Sequence, residues 1–177
     1  MRSEQDQPRF SVREVLPHEY DEAGRVTAYS YREFIPPGAE RQDWLDYLTK
    51  LADVAGRVDR THVLVAAEEG TGRILGCVTI EEDGVIGDDD ESLEPGASHI
   101  RMLGVDPAAR GRGVGRALMQ ACIERARAQG KRFVTLRTTR SMIAARALYA
   151  SMGFEPDPEH DMLVDVDFLL IAYRLAL

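Results

Sequence analysis

Arg110-Gly111-Arg112-Gly113-Val114-Gly115 is the stretch from which the fold of this chain can be predicted. Glycines have no Cβ, so they let the backbone turn sharply and come close to a ligand. A helix that begins at such a turn presents unpaired N–H groups and the positive end of its dipole. The stretch therefore predicts a binding site for a phosphate or pyrophosphate at the start of a helix.

The residues on both sides of this loop support that prediction. Upstream, Ser98 to Val105 has the pattern of a strand, and Pro107 ends it because proline cannot continue a β-ladder. Downstream, apolar residues recur at helical spacing until Gly130. These are Val114, Ala117, Leu118, Ala121, Cys122 and Ala126. The predicted order is strand, glycine-rich loop, helix.

Two common phosphate motifs do not fit the loop. In the dinucleotide fingerprint G-x-G-x-x-G the third glycine would fall at Arg116 or Leu118. The P-loop also fails, because no Gly-Lys-Ser/Thr closes the segment. The pattern that is present is Arg-x-x-Gly-x-Gly, formed by Arg110, Gly113 and Gly115.

A second pattern follows further along the chain. After a strand predicted over Phe133 to Thr138, Ser141 is expected to cap a helix that runs to Met152. The helix and its end carry Ala-x-x-Leu-Tyr-x-x-x-Gly-Phe, formed by Ala145, Leu148, Tyr149, Gly153 and Phe154. Together with the Arg-x-x-Gly-x-Gly loop, this pattern resembles the two signatures of the GNAT superfamily of N-acetyltransferases.

The remaining elements predict an α/β fold of the α+β type with a central mixed sheet. Further strands are predicted over Phe10 to Leu16, His62 to Ala67, Arg73 to Ile80 and Phe168 to Leu177, and helices over Tyr20 to Tyr31 and Glu40 to Val58. We expect a single domain over residues 1–177. The GNAT resemblance implies a mostly antiparallel sheet with one splayed parallel strand pair, flanked by helices.

The resemblance implies acetyl-CoA as cosubstrate, with its pyrophosphate on the glycine-rich loop. The implied contacts are Arg110, Gly111, Arg112, Gly113, Val114, Gly115 and Arg116, although these arginines are also compatible with a solvated helix start. A backbone amide within Leu103, Gly104 and Val105 is implied as the donor to the thioester oxygen. Gly104 would suit a local β-bulge there.

The resemblance also assigns catalytic candidates. Tyr149 stands where many members place a tyrosine near the sulfur, and its alternative is ring packing on the inner helix face. For the base, many members have a glutamate where this chain has His99, and others where it has Arg101. His99, the pair Glu81 and Glu82, or attack assisted by water remain open.

One more departure concerns the second signature, in which many members have an asparagine where this chain has Met142. The missing glutamate and asparagine leave a non-catalytic acyl-CoA-binding regulatory module as the alternative to an N-acetyltransferase. The expected reaction is transfer of an acetyl group to a primary amine of a small molecule or peptide by direct attack.

Composition limits the partners. The net charge of −8 argues against nucleic acid, since that binding depends on lysine and arginine. Cys77 and Cys122 offer neither a disulfide framework nor zinc spacing, so no metal is expected. No apolar run suits a membrane span or signal peptide, which favours a cytoplasmic protein. The apolar strand at 168–177 could support a homodimer.

Two further features bear on the acceptor. The acidic loop from Glu81 to Glu94 could attract a cationic amine, or could simply be a solvated loop. Trp44, with Tyr29, Tyr31 and Phe34, could line an acceptor pocket or pack in the core.

Overall fold

The computed structural model describes residues 9–35, 41–87, 91–165 and 168–177. The helices of this part of the chain are α1 Tyr20–Tyr31, α2 Arg41–Ala52, α3 Val114–Ala128 and α4 Ile143–Ser151. Its strands are β1 Phe10–Glu14, β2 His62–Glu68, β3 Ile74–Glu81, β4 Val85–Ile86, β5 Glu91–Ser92, β6 Ala97–Val105, β7 Phe133–Thr138, β8 Glu155–Pro156, β9 Met162–Asp165 and β10 Phe168–Ala176.

The chain divides into two compact units. The first unit comprises Met1–Thr79 and Met102–Ala121, and the second comprises Ile80–Arg101 and Cys122–Leu177. The strand order is β1-β2-β3-β6 in the first unit and β6-β7-β10-β8 in the second, where β9 also pairs with β10. The assignment of residues 1–177 to a single domain stays a prediction.

The pairing confirms the predicted fold class. β1 with β2 and β7 with β10 are antiparallel, whereas β6 and β7 are parallel. The parallel register runs from Ala97 opposite Phe133 to Ile100 opposite Leu136. Both strands continue beyond that last pair, β6 to Val105 and β7 to Thr138. The fold is thus a mixed α/β arrangement with a mostly antiparallel sheet, one parallel pair and flanking helices.

The first unit has an apolar core made of small and β-branched side chains. Ala23 of α1 packs there with residues of β2 and β3, and Tyr20 and Val26 pack against its margin. The buried members are Ala23, Val54, Val63, Val65, Ala67, Ile74 and Cys77. Strands rich in valine fit this position, because branched side chains pack well on a pleated surface.

The second unit buries the apolar faces of its helices and strands. Cys122 and Ala126 of α3 and Val134 and Leu136 of β7 are at most 2% exposed. Cys77 and Cys122 are both buried thiols, as their positions in apolar elements predict. Among the described helices, none has the length and apolar character needed to cross a membrane.

β10 uses its backbone within the second unit. Ile171 to Ala176 pair with β7, Tyr173 and Arg174 also pair with β8, and Phe168 to Leu170 pair with β9. These pairings occupy hydrogen-bonding groups that a second copy would need at the same positions. A homodimer through this strand therefore stays a prediction without support from the pairing pattern.

The predicted extent of α2 was wrong at its C-terminal end. The helix stops at Ala52 rather than Val58, because side chains satisfy its terminal groups. The Arg57 guanidinium donates to the carbonyl oxygens of Lys50, Leu51 and Asp53 at 2.8 to 3.2 Å. The Asp53 carboxylate accepts the N–H of Gly56 at 2.8 Å. The predicted start at Glu40 lies outside the described residues.

The predicted cap of α4 was also wrong. The N-cap residue is Met142, without a side-chain hydrogen bond, and the helix begins at Ile143. The Ser141 hydroxyl instead lies 2.9 Å from the Thr139 hydroxyl. Two polar side chains in the preceding turn thus bond to each other, and the helix starts without the predicted capping contact.

Candidate functional site

The Arg110–Gly115 loop has the backbone that the sequence predicts for an anion site. Gly111 and Gly113 adopt φ values of 77° and 80°, and a Cβ at either position would meet no heavy atom within 4 Å. Glycine is therefore required there by conformation, and the space beside both residues is open. α3 begins directly afterwards at Val114, so its first N–H groups lie next to this loop.

Two arginines of the loop already have carboxylate partners in the first unit. Arg110 forms an ion pair with Glu33, in which both side chains are nearly half exposed. Arg112 donates to Glu68 at 3.3 Å and is more enclosed. The Glu68 carboxylate also accepts the Thr71 hydroxyl, and both contacts hold its pKa below the ordinary value. A phosphate on this loop would therefore compete with Glu33 and Glu68 for the guanidinium groups.

The C-terminal part of β6 has an irregular backbone at Met102. Met102 has a φ of 56°, in the left-handed region that residues other than glycine rarely adopt, and its side chain is buried. Gly104 does not have a positive φ, and a bulge at that residue stays a prediction. A Cβ on Gly104 would lie 2.4 Å from Ser30 Oγ and 3.0 Å from Thr27 Cα. Gly104 thus allows α1 to pack closely against β6.

Tyr149 lies in an aromatic cluster of the second unit. Its ring centroid is 6.0 Å from that of Phe154 and 6.2 Å from that of Tyr173, and the side chain is 6% exposed. Burial raises the pKa of Tyr149 above its ordinary value, so the phenol stays protonated. Within the described residues its hydroxyl has no hydrogen bond. The side chain therefore packs its ring and also keeps the proton that an acid would need.

His99 is held in a neutral form. Its Nδ1 lies 2.9 Å from Thr135 Oγ1, and the imidazole is 5% exposed. Burial and the positive charges of Arg137 and Arg101 lower the pKa of His99 to about 3, against a smaller opposing effect of Glu91. A neutral imidazole can accept a hydrogen bond, but protonation at this position is unfavourable.

Glu81 and Glu82 both have arginine partners. Glu81 accepts the Gly87 N–H at 2.9 Å and an N–H of Arg101 at 3.2 Å. Glu82 accepts from Arg125 through both oxygens, at 2.9 and 3.4 Å. Both candidate bases are therefore engaged in ion pairs with arginines.

The aromatic residues suggested for an acceptor pocket form a cluster in the first unit. Tyr31 contacts Phe34 and Tyr47, and Tyr47 contacts Trp44, with centroid distances of 5.8 to 6.5 Å. Tyr29 instead lies beneath the guanidinium of Arg32, 5.6 Å from its ring centroid. Trp44 is half-buried, so it packs against other rings without belonging to the fully buried core.

Thr135 and Arg137 of β7 were not among the site residues predicted from the sequence. Both are within reach of His99, Thr135 by a hydrogen bond and Arg137 by its charge. Side chains two apart on a strand share a face, so their spacing is a signal that was present in the sequence. That β7 pairs with the His99 segment of β6 could not be read from the same pattern.

The buried neutral His99 predicts a pH dependence of stability. Between about pH 6.5 and pH 3 the unfolded chain binds a proton at this position that the folded chain does not. Stability is therefore lost as the pH falls through this window, by up to about 1.4 kcal/mol per pH unit from this residue. Denaturant unfolding at pH 7.0, 6.0 and 5.0 should give a shallower loss for His99→Gln than for the parent.

The same comparison separates His99 from other acid-sensitive groups. The Arg137 guanidinium lowers the pKa of Glu91, so this carboxyl also reduces stability in acid, but it does so in both proteins. Equal slopes in the two proteins would show that His99 titrates normally in the folded chain.

The chain is similar in sequence to known acetyltransferases. Residues 25–154 match the family model described as Acetyltransferase (GNAT) family. A mycothiol acetyltransferase of Kocuria rhizophila is 31% identical over 137 residues, which is 77% of this chain and 38% of that protein. Curated relatives are thus longer, and the chain spans between 20% and 49% of the length of those it matches.

Solved structures agree in fold. A GNAT family acetyltransferase from Staphylococcus aureus Mu50 superposes with a TM-score of 0.70 at 17% identity, covering 96% of this chain and 99% of that one. A GNAT family acetyltransferase from Brucella melitensis, in complex with acetyl-CoA, gives 0.59 at 22% identity, with coverages of 97% and 90%. With the matching family model and the loop geometry, these findings show that the chain belongs to the GNAT family of acetyltransferases.

Proposed function

We propose that this chain is an N-acetyltransferase that transfers an acetyl group from acetyl-CoA to a primary amine by direct attack. The observation that carries the proposal is the loop before α3, where Gly111 and Gly113 have positive φ and open space beside them. Membership of the acetyltransferase family supports the choice of acyl-CoA among phosphate-bearing ligands.

The residues of the loop suit a pyrophosphate. The first-turn N–H groups of α3, from Val114 to Arg116, can donate to phosphate oxygens, and the helix dipole favours a negative charge. Arg110 and Arg112 can add positive charge for the phosphates if their ion pairs with Glu33 and Glu68 open or also admit a phosphate oxygen. Acetyl-CoA would supply an acetyl group activated as a thioester.

The end of β6 suits the thioester oxygen. The left-handed Met102 interrupts the regular strand immediately before Leu103, Gly104 and Val105. We propose that a backbone N–H within these three residues donates to the oxygen as it gains negative charge. A backbone donor of this kind is held by the fold, so it needs no rearrangement during the reaction.

We propose Tyr149 as the acid that protonates the departing thiolate. Its pKa is raised by burial, so it carries its proton at all neutral pH values. This is compatible with donation to a thiolate, although the match is less close than for an ordinary phenol with a pKa of about 10.

The amine must also lose a proton before it attacks. Glu81 and Glu82 are engaged by Arg101 and Arg125, and His99 is protonated only with difficulty. Among the alternatives for the base, these contacts favour loss of the amine proton to water. A small-molecule acceptor is supported by the relative named mycothiol acetyltransferase, and a peptide amine stays an alternative.

The test of this proposal is thiol release by the purified chain. Acetyl-CoA with a panel of amino acids, polyamines, aminoglycosides and peptides should give free CoA thiol with at least one amine. Tyr149→Phe should lower kcat by roughly 100-fold, the usual scale of acid catalysis, with CoA affinity retained. Tyr20→Phe is the matched control, because it removes a hydroxyl from a partly buried tyrosine of the first unit.

The outcomes separate the two functions that the sequence allows. CoA binding by calorimetry without turnover across the panel would support an acyl-CoA-binding regulatory module instead of an enzyme. An unchanged rate in Tyr149→Phe, with turnover present, would remove this residue from the mechanism and leave its ring packing as its role.

A further inference from the structure

The second unit contains a small cavity next to His99. Its volume is about 130 Å³, room for a group of a few heavy atoms given about 30 Å³ per water molecule in the liquid. Segments from β4 to β7, the 157–160 turn and β10 contribute its walls. The polar lining residues include Glu91, Glu94, His99, Thr135, Arg137 and Asp157.

The two guanidiniums around this cavity are engaged by carboxylates. Arg137 donates to both oxygens of Glu91 and, through Nε, to the carbonyl oxygen of His160 at 3.2 Å. Arg174, beside the wall, donates to Glu94 at 2.9 Å and lies 3.6 Å from Asp157. Each carboxylate oxygen can accept more than one hydrogen bond. The carboxylate oxygens therefore keep the capacity to accept further hydrogen bonds.

The charged groups around the cavity include more carboxylates than guanidiniums. Three carboxylates, those of Glu91, Glu94 and Asp157, face the two guanidiniums of Arg137 and Arg174. His160 contacts Asp157 at 2.9 Å and adds positive charge only when it is protonated. Among these groups the carboxylates exceed the guanidiniums by one, so they supply the attraction for a cation, whereas Arg137 and Arg101 disfavour positive charge at His99 itself.

His99 supplies an acceptor that is independent of the carboxylates. Thr135 Oγ1 lies 2.9 Å from His99 Nδ1 and 3.5 Å from the carbonyl oxygen of Ser98. If the hydroxyl donates to that carbonyl, it accepts the Nδ1 proton, and Nε2 then carries a lone pair. Among the described residues, this nearly buried imidazole has its one hydrogen bond through Nδ1. In that tautomer Nε2 is available to accept a hydrogen bond from a guest.

We propose that this cavity is the subsite that binds a primary ammonium group of the acceptor, through His99 Nε2 and the oxygens of Glu91, Glu94 and Asp157. An ammonium has three donors and no acceptor, so it complements carboxylate oxygens and an imidazole nitrogen that can each accept a hydrogen bond. The inference rests on the proposed function in one respect, that the amine bound here belongs to the acetyl acceptor. It also gives the acidic loop a specific role through Glu91 and Glu94.

The experiment measures binding without acetyl-CoA. The chain is titrated at pH 8 with 1-propylammonium, 1-propanol or propionate, which have similar size and different charge. A primary amine remains protonated there, as for lysine with a reference pKa of about 10.4, while ordinary imidazole is neutral. Imidazole NMR signals of the four histidines are followed, and His99→Gln assigns the signal of His99.

The proposal expects propylammonium to shift the His99 signal, with little effect of propanol or propionate at the same concentration. Glu94→Gln should weaken propylammonium binding about tenfold, the scale of one hydrogen bond to a charged group. Glu124→Gln is the control, because it neutralises an exposed acid on α3 that does not line the cavity.

Several results of the titration would contradict the proposed ammonium site. Binding of propionate, equal binding of propanol, an unmoved His99 signal, or unchanged affinity in Glu94→Gln would each overturn the proposal. Propylammonium binding without thiol release in the enzymatic assay would keep the cavity as an ammonium site and refute the transferase function. Thiol release without ammonium binding at His99 would support the transferase function and refute the ammonium site in this cavity.

Discussion

Replacing Gly113 with glutamate should reduce the affinity for CoA by at least about 100-fold. The backbone at Gly113 has a φ of 80°, and the space where a Cβ would project is open. A glutamate side chain would project from this turn and set a carboxylate against the phosphates that the loop is proposed to hold. Loss of a charged hydrogen bond and like-charge repulsion together account for at least about 2.7 kcal/mol, which corresponds to 100-fold.

A matched control is available at the other end of α3. Gly130 has a φ of 69°, and a Cβ there would also meet no heavy atom within 4 Å. Gly130→Glu therefore introduces the same side chain and comparable backbone strain outside the loop. Calorimetric titration with CoA should show loss of binding only in Gly113→Glu. CoA affinity within threefold of the parent in that variant would refute the assignment of the loop.

The sequence predicted this loop well because the information is local. Glycines at 111 and 113 and the apolar stripe of α3 require only neighbouring residues to be interpreted. The same is true of α1 at Tyr20–Tyr31 and β7 at Phe133–Thr138, whose bounds agree with the prediction. Periodicity and turn chemistry act over a few residues, so they need no knowledge of the fold.

Features that depend on distant contacts were not predicted. Gly104 makes room for Ser30 and Thr27 of α1, more than seventy positions earlier in the chain, and the residues around Gly104 do not indicate this contact. Arg125 pairs with Glu82 across 43 positions, and Arg137 with Glu91 across 46. Such ion pairs decide which carboxylate can act as a catalytic base. The candidate bases could therefore be identified from the sequence, but the sequence could not show which of them are engaged by arginines.

Replacing Arg57 with methionine should destabilise the chain by about 3 to 4 kcal/mol. The side chain is 7% exposed, and its guanidinium donates to the carbonyl oxygens of Lys50, Leu51 and Asp53 and to Thr79 Oγ1. Methionine keeps much of the volume but leaves several acceptors without these donors, at about 1 to 3 kcal/mol for each buried group that stays unsatisfied. Urea unfolding followed by circular dichroism measures the difference.

Two further variants identify the cause of that loss. Arg57→Lys keeps the charge but lacks the planar fork that reaches several acceptors at once, so it should recover about half of the stability. Arg25→Met removes an exposed arginine of α1 and should change stability by no more than about 0.5 kcal/mol. If Arg57→Met unfolds within 1 kcal/mol of the parent, the end of α2 at Ala52 needs another explanation, because its carbonyl groups would then be satisfied without the guanidinium. If lysine performs as well as arginine, charge rather than the geometry of the fork holds the end of the helix.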